Sequence, residues 1–452
     1  MSFEYRGLWW LPSAPNKKIS GTLSFSKEDG AYLDLDGAFK DINELPSFSH
    51  FEIILGTTLN GKKITLYRCY EVRSDISATL RSLFSASYLF VGHHFLADDQ
   101  INFSRIFVNY SYLVEWVNKN GFMFNLKDEF AIKYREPENL VYDINDEFQL
   151  SLDFKGIISP STFWNKEASI KQETRIVFSP KNEDKHFSTF LEKIYLFQNF
   201  LNLAVLEPIL PIELKGEIED IKIEFPNGLT FPQPIEIYRK IDPFVEKKTL
   251  HPSKFLFLFP DIENSFQTYL HNWFNKRDLK PVIDLYISLY YNPYMYMQTK
   301  FINSILALEV YHRRTRKNIV LPKKEYKELC KIILECIPEG HRERMARKLM
   351  YSNEPSLRDR LYELALELND VSCNIIKDVD GFISDIIHMR NYLIHYDKKK
   401  KDKITKGIDL YILTRKIMTL VHICLLKEVG IDEKAIKAMI EKNDKLTLKY
   451  LL

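Results

Sequence analysis

The stretch Asp380-Gly-Phe-Ile-Ser-Asp-Ile-Ile-His-Met-Arg-Asn-Tyr-Leu-Ile-His-Tyr396 decides how the chain is read. Phe382, Ile383, Ile386, Ile387, Leu393 and Ile394 fall on one arc at about 100° per residue, which predicts an amphipathic helix over 380–396. Arg390 stands near the middle of that arc. An arginine on an apolar face is unfavourable unless it meets a partner or a wet cleft. Beside it runs a wholly polar stripe, Ser384, His388, Asn391 and His395. The predicted helix at 295–314 carries the same conflict. Phe301, Ile302, Ile305, Leu306 and Leu308 define its apolar arc, Glu309 lies inside it, and His312 and Arg313 lie at its flanks. One acid and one arginine on apolar faces of a single domain make Glu309 and Arg390 expected partners. An ordinary buried ion pair that fixes helix register is the other reading of these two residues.

The texture around these helices sets the domain plan. After about Pro260 proline becomes rare and a 3.6-residue period dominates, predicting helices near 262–275, 279–291, 295–314, 323–336, 340–351, 356–368, 380–396, 405–428 and 432–449. Before Pro260 the chain reads mostly as β. Gly21–Phe25 and Ala31–Leu35 alternate across a Glu28-Asp-Gly30 turn, and Phe51–Leu55 and Lys63–Tyr70 flank Asn60-Gly61, a hairpin signal. Shorter runs follow at 88–92, 105–107, 148–154, 221–224, 235–238 and 255–259, with one helix over 186–205. The predicted fold class is α+β, a β-rich domain over 1–260 followed by an all-α domain over 261–452.

Length and charge agree with two domains. The chain has 452 residues and a formal net charge of +2. Residues 1–260 hold 29 Lys and Arg against 35 Asp and Glu, a net of −6, and residues 261–452 hold 34 against 26, a net of +8. The near-neutral total therefore conceals an acidic β half and a basic helical half. An acidic half is expected to shield the basic one until a trigger separates them. Cys69, Cys330, Cys336, Cys373 and Cys424 are scattered without metal-ligand spacing, so free thiols in a reducing compartment are expected, with no metal and no cofactor. The first residues show no signal-peptide pattern. The most apolar stretch, 195–212, is broken by Gln198, Asn199, Asn202 and Glu207, so no membrane span is expected and the location expected is the cytoplasm.

Arg390-Asn-Tyr-Leu-Ile-His395 is an Arg-Asn-x3-His motif on a predicted helix of a helical domain, and it resembles the active-site motif of HEPN ribonucleases. Phe301–Tyr311, with its Ala-Leu-Glu, resembles the first core helix of the ApeA-type HEPN branch, and Ser356-Leu-Arg-Asp-Arg-Leu361 resembles its middle helix. Gly7-Leu-Trp-Trp-Leu-Pro12, the Gly21-x-Leu-x-Phe25 run, Gly30-x-x-Leu33 and Val91-Gly-His-His-Phe95 are similar to the ApeA N-terminal β domain. The resemblance covers most of the chain, in order. It implies a HEPN helical bundle, an anti-phage defence role and an RNase whose motifs face each other across a homodimer. HEPN toxins paired with nucleotidyltransferase antitoxins carry Arg-x4-His-x-Tyr. Here Tyr396 directly follows His395, so control through that tyrosine is not expected.

Metal-independent RNA cleavage must deprotonate a 2′-hydroxyl, protonate the leaving 5′-oxygen and stabilise a phosphorane. Histidine suits the proton transfers and arginine the phosphorane. His395 is the expected general acid/base, Arg390 the clamp, Asn391 the group that orients the ring or a phosphate oxygen, and Glu309 the support of Arg390. Products would be a 2′,3′-cyclic phosphate and a 5′-hydroxyl. RNA is the expected partner, with tRNA or another structured RNA as a candidate. Candidate phosphate contacts are Arg313 and Arg314 in the run to Lys317, the Arg342/Arg344/Arg347/Lys348 group, and Lys398, Lys399 and Lys400; a solvated face is the alternative for each. A phage-derived trigger on the β domain would gate the nuclease and make it an abortive-infection device. His93-His94 is expected not to bind metal, His388 to lie at the surface, and Tyr290–Tyr296 to pack a helix entry. Two further readings are a catalytically silent HEPN scaffold binding RNA or a protein, and a β-domain ligand binder with a structural helical module.

Overall fold

The computed structural model describes residues 2–40, 48–76, 80–125, 131–158, 169–224, 228, 230–241, 250–395 and 405–447. By packing the chain divides into two units, Met1–Phe274 and Asn275–Leu452.

In the first unit period-two burial builds the sheet. Leu23 and Phe25 on one strand, and Phe148, Leu150, Leu152 and Phe154 on another, turn inward while their neighbours stay partly open. Six antiparallel strands close into a barrel: β1 (Ser2–Trp10), β2 (Ile19–Ser26), β3 (Gly30–Leu35), β4 (His50–Thr58), β5 (Lys63–Ile76) and β6 (Leu80–Val91). Their order is β5-β6-β3-β2-β1-β4, and β4 returns to β5, which removes the free edge. The Asn60-Gly61 turn joins β4 to β5, with Gly61 at φ +77°, a conformation glycine adopts without strain. Trp9 is fully buried among the barrel's core side chains. Its indole donates to the Gly21 carbonyl at 3.1 Å, and its ring lies over Gly56, where a Cβ would come within 2.1 Å of it.

The same sheet continues beyond the barrel as β7 (Arg105–Tyr110), β8 (Leu140–Asp143), β9 (Phe148–Ile158), β10 (Ile170–Pro180), β11 (Pro211–Glu217) and β12 (Ile235–Tyr238), in the order β8-β9-β10-β7-β11-β12. The long strand β6 belongs to both parts, because β12 pairs with its end through Ile237 and Phe90. Helix α1 (Phe187–Val205) buries Phe187, Phe190, Phe197, Phe200 and Leu201. Two of the polar residues that interrupt this apolar stretch have structural work: Gln198 donates to the Ile209 carbonyl at 2.7 Å and Asn202 accepts from the Ile209 amide at 3.1 Å, holding the turn after the helix.

Two expectations change here. Residues 255–259 pair in no ladder; Phe255, Leu256 and Phe257 are buried as an irregular segment, and a short helix starts at Phe259. Pro260 sits in its first turn and the Asp261 carboxylate accepts from the Leu258 amide at 2.7 Å, both helix-start signals. The unit also ends after Phe274 rather than at 260, because α2 (Phe266–Asn275) buries Phe266 and Trp273 against Trp116, Tyr142 and Phe200 of the β unit.

The second unit is helical: α3 (Lys280–Tyr291), α4 (Met297–Thr315), α5 (Lys323–Glu335), α6 (Glu339–Leu349), α7 (Leu357–Glu367), α8 (Val379–His395), α9 (Gly407–Val429) and α10 (Glu433–Lys442). Its centre is α9, apolar on most sides and buried along most of its length. Helix α4 packs on α3, α7 and α9, and α7 packs in turn on α8. Small residues Ser304 and Ala307 lie in the buried face of α4 and allow close approach. By contrast, α5 and α6 pack on each other and contain no buried side chain.

Candidate active site

Helix α8 begins where the Asp378 side chain accepts from the Gly381 amide at 3.0 Å. Its buried residues are Phe382, Ile383, Ile386 and Met389. Since α8 packs on α7 along one side, this face is narrow and is centred on Ile386 and Met389. Arg390 is therefore at the margin of the apolar face, half-buried, not at its middle. It shares a stripe with Ile383, Ile387 and Ile394, and Ile394 is 49% exposed. Ser384 and Asn391 are half-buried, and His388 and His395 are exposed, so the polar stripe meets solvent. Asn391 and His395, four residues apart, share one face. Arg390 and His395 are five apart, which sets them roughly 140° apart around the helix and about 7.5 Å apart along it.

Glu309 does not reach Arg390. Its carboxylate pairs with Arg313 at 3.4 Å, four residues on along α4, in the favourable order of acid before base. Among the described residues Arg390 has no hydrogen bond or ion pair. The buried face of α4 is centred on Phe301, Ser304, Ile305, Leu308, Tyr311 and His312, with Leu306 exposed, so Glu309 sits at its border with its side chain 22% exposed.

The buried arginine of this unit is Arg360, on α7. It is fully enclosed, and its guanidinium donates to Nδ1 of His312 at 3.1 Å and to the side chain of Asn318, and pairs with Glu354 at 3.5 Å. A guanidinium only donates, so Nδ1 of buried His312 is the acceptor and its Nε2 carries the hydrogen given to Glu363 at 2.8 Å. Arg313 joins the network through Glu354 at 2.8 Å, and Arg316 through Glu367 and Glu363. Arg360 carried a readable signal: it lies between Leu357 and Leu364 at helical spacing, the pattern that drew attention to Arg390.

The expected RNA contacts divide accordingly. Arg313 is held by two carboxylates, whereas Arg314 is exposed with no ion pair among the described residues. Arg342 donates to the Ile337 carbonyl at 2.9 Å, Arg347 pairs with Glu343 at 2.9 Å, and Arg344 and Lys348 are exposed. Tyr396, Lys398, Lys399 and Lys400 lie outside the described residues. Of the run Tyr290–Tyr296, Tyr290 packs edge-on against Tyr286 with ring centroids 5.5 Å apart, whereas Tyr294 and Tyr296 are 78% and 80% exposed. His93 and His94 follow the end of β6 rather than lying on a strand. His94 donates Nε2–H to the Gly56 carbonyl at 2.7 Å, and its ring meets Trp10 edge-on. Burial and then the nearby Lys63 lower the pKa of His93; burial likewise lowers that of His94, against the opposing pull of its Gly56 bond. Among the described residues no group of three or more His, Cys, Asp or Glu could hold a metal ion, and no helix is long and apolar enough to cross a membrane.

Comparison with known families matches both units. The family described as ApeA N-terminal domain 1 matches residues 4–273, and Apea-like HEPN matches residues 302–435. No curated protein and no solved structure matches the chain. The first match covers more than half of the chain, ends within one residue of the first unit's boundary, and is followed by the second inside the helical unit. The chain belongs to the ApeA family, HEPN nuclease-type proteins of anti-phage defence.

Proposed function

We propose that the chain is a metal-independent endoribonuclease whose active groups are Arg390, Asn391 and His395. The observation that carries this reading is the last two turns of α8, where an exposed histidine, a half-buried asparagine on its face and an arginine without an ion pair stand beside the incompletely covered Ile387 and Ile394. A half-open apolar stripe around polar reactive groups suits a surface that is finished by another molecule. The roughly 140° between Arg390 and His395 favours a site completed by a second copy, each α8 facing the other. One His395 takes the 2′-hydroxyl proton as that oxygen attacks phosphorus. The other gives a proton to the departing 5′-oxygen. Arg390 donates to the equatorial oxygens of the phosphorane, and Asn391 orients His395 across its turn. The bond formed is 2′-oxygen to phosphorus and the bond broken is phosphorus to 5′-oxygen, leaving a 2′,3′-cyclic phosphate and a 5′-hydroxyl. Arg314, Arg344 and Lys348 are the exposed cations on hand to contact RNA phosphates. The β unit gates this activity in response to a phage component.

The test incubates purified protein with RNA, with and without a lysate of phage-infected cells, for wild type, Arg390→Ala and His395→Ala. Each variant should lose about 100- to 10,000-fold in rate. Wild-type rates in either variant would remove these residues from the chemistry. A wild type inert under all conditions favours the silent scaffold.

A further inference from the structure

The β unit holds a cleft that the nuclease reading leaves unused. It lies where the barrel gives way to the rest of the sheet, with a cavity volume of about 170 Å³. Leu214 of β11 and Ile237 of β12 are register partners and form its floor, and Phe25 and Pro211 add apolar wall. The ring of Tyr238, packed on Phe25 at 5.1 Å between centroids, also lines the cleft.

The polar lining is uneven. Glu213 is satisfied by Lys215 at 2.7 Å, and Glu236 accepts from the Tyr238 hydroxyl at 2.7 Å. The side chains of Lys27 and Arg239 have no hydrogen bond or ion pair among the described residues, and Nε of Arg239 is buried with no acceptor. Nε of Arg175, Arg360 and Arg415 is likewise buried without an acceptor among the described residues, so what sets Arg239 apart is its place beside Lys27 in the wall of a cleft. Two unanswered cations beside an apolar floor call for an anion with an apolar body. The flanking carboxylates of Glu213 and Glu236 oppose a multiply charged anion such as phosphate, and the guanidinium fork matches a carboxylate. An apolar cavity of about 150 Å³ accepts benzene, so the volume fits a single ring.

We infer that this cleft binds a small monocarboxylate of single-ring size, its carboxylate held by Arg239 and Lys27 and its body laid on Leu214 and Ile237. The carboxylate supplies the acceptor that Nε of Arg239 lacks. Binding is independent of the nuclease reading and is measured without RNA.

Isothermal titration of the full chain with benzoate is the test, with benzyl alcohol and inorganic phosphate as comparison ligands. Benzoate should bind saturably, and both comparison ligands should bind at least about tenfold more weakly, since each lacks either the charge or the ring. Arg239→Gln and Lys27→Gln should each weaken benzoate at least about tenfold. Circular dichroism confirms that each variant is folded, and Lys27→Gln decides alone if Arg239→Gln is not. Absence of saturable benzoate binding, equal binding of benzyl alcohol, equal binding of phosphate, or folded variants with wild-type affinity would each overturn the assignment.

Discussion

Arg360 is enclosed by His312, Asn318 and Glu354, whereas Arg390 rests at the margin of its helix with no ion pair among the described residues. Removing the first leaves buried acceptors without a donor and removing the second leaves nothing behind. Urea melts should therefore show Arg360→Ala destabilised by about 3–5 kcal/mol, and Arg390→Ala within about 0.5 kcal/mol of wild type. Glu309→Ala should lose no more than about 1 kcal/mol, because its pair with Arg313 is partly solvated. The reverse order, with Arg390 and Glu309 the sensitive positions, would restore the buried pair that the sequence suggested. Both arginines show the same helical signature from sequence, a cation flanked by leucine or isoleucine one turn either way. Only tertiary packing separates them: α7 lies between α4 and α8, while α8 is covered on one side.

At the level of elements, every predicted helix after Pro260 exists, because a long 3.6-residue period is a strong local signal, and the ends match to within a few residues except at the last, expected over 432–449, which stops at Lys442 where Asn443 turns extended. The β half was legible in its hairpins and not in its closure. The pairing of β4 with β1, and of β6 with β3 and β12, is non-local and leaves no trace in periodicity. The strand expected at 255–259 failed because a short apolar run reads alike whether it joins a ladder or merely fills a gap. Two outcomes follow for particular elements. Amide exchange should be fastest, among the helices of the second unit, in α5 and α6, which bury no side chain, and slowest in α9; equal protection in mass-spectrometric exchange would show that the α5–α6 pair is covered. The loop after β6 should make the fold acid-sensitive. His93 and His94 have folded pKa values below the ordinary 6.5, so the unfolded chain takes up protons first as pH falls. Stability should drop as pH falls through about 6.5 and level off once the folded histidines protonate as well. A His93→Asn/His94→Gln variant whose melting temperature has the same acid limb as wild type would contradict this.

For the molecule as a whole, the true boundary sharpens the charge contrast. Residues 1–274 carry 29 Lys and Arg against 37 Asp and Glu, a net of −8, and residues 275–452 carry 34 against 24, a net of +10. The near-neutral total is the sum of an acidic β unit and a basic helical unit, and RNA, a polyanion, is expected to meet the second. If the β unit restrains the nuclease, residues 275–452 expressed alone should cleave RNA faster than the untriggered full chain; a folded, inert helical unit would assign the β unit another task. The central claim is that α8 cleaves RNA without a metal, and end-group analysis tests it most directly. RNA cut by the triggered wild-type chain in excess EDTA should carry 2′,3′-cyclic phosphate and 5′-hydroxyl ends, and the His395→Ala chain should yield neither. Cleavage that EDTA abolishes, or that leaves 5′-phosphate and 3′-hydroxyl ends, would contradict the account.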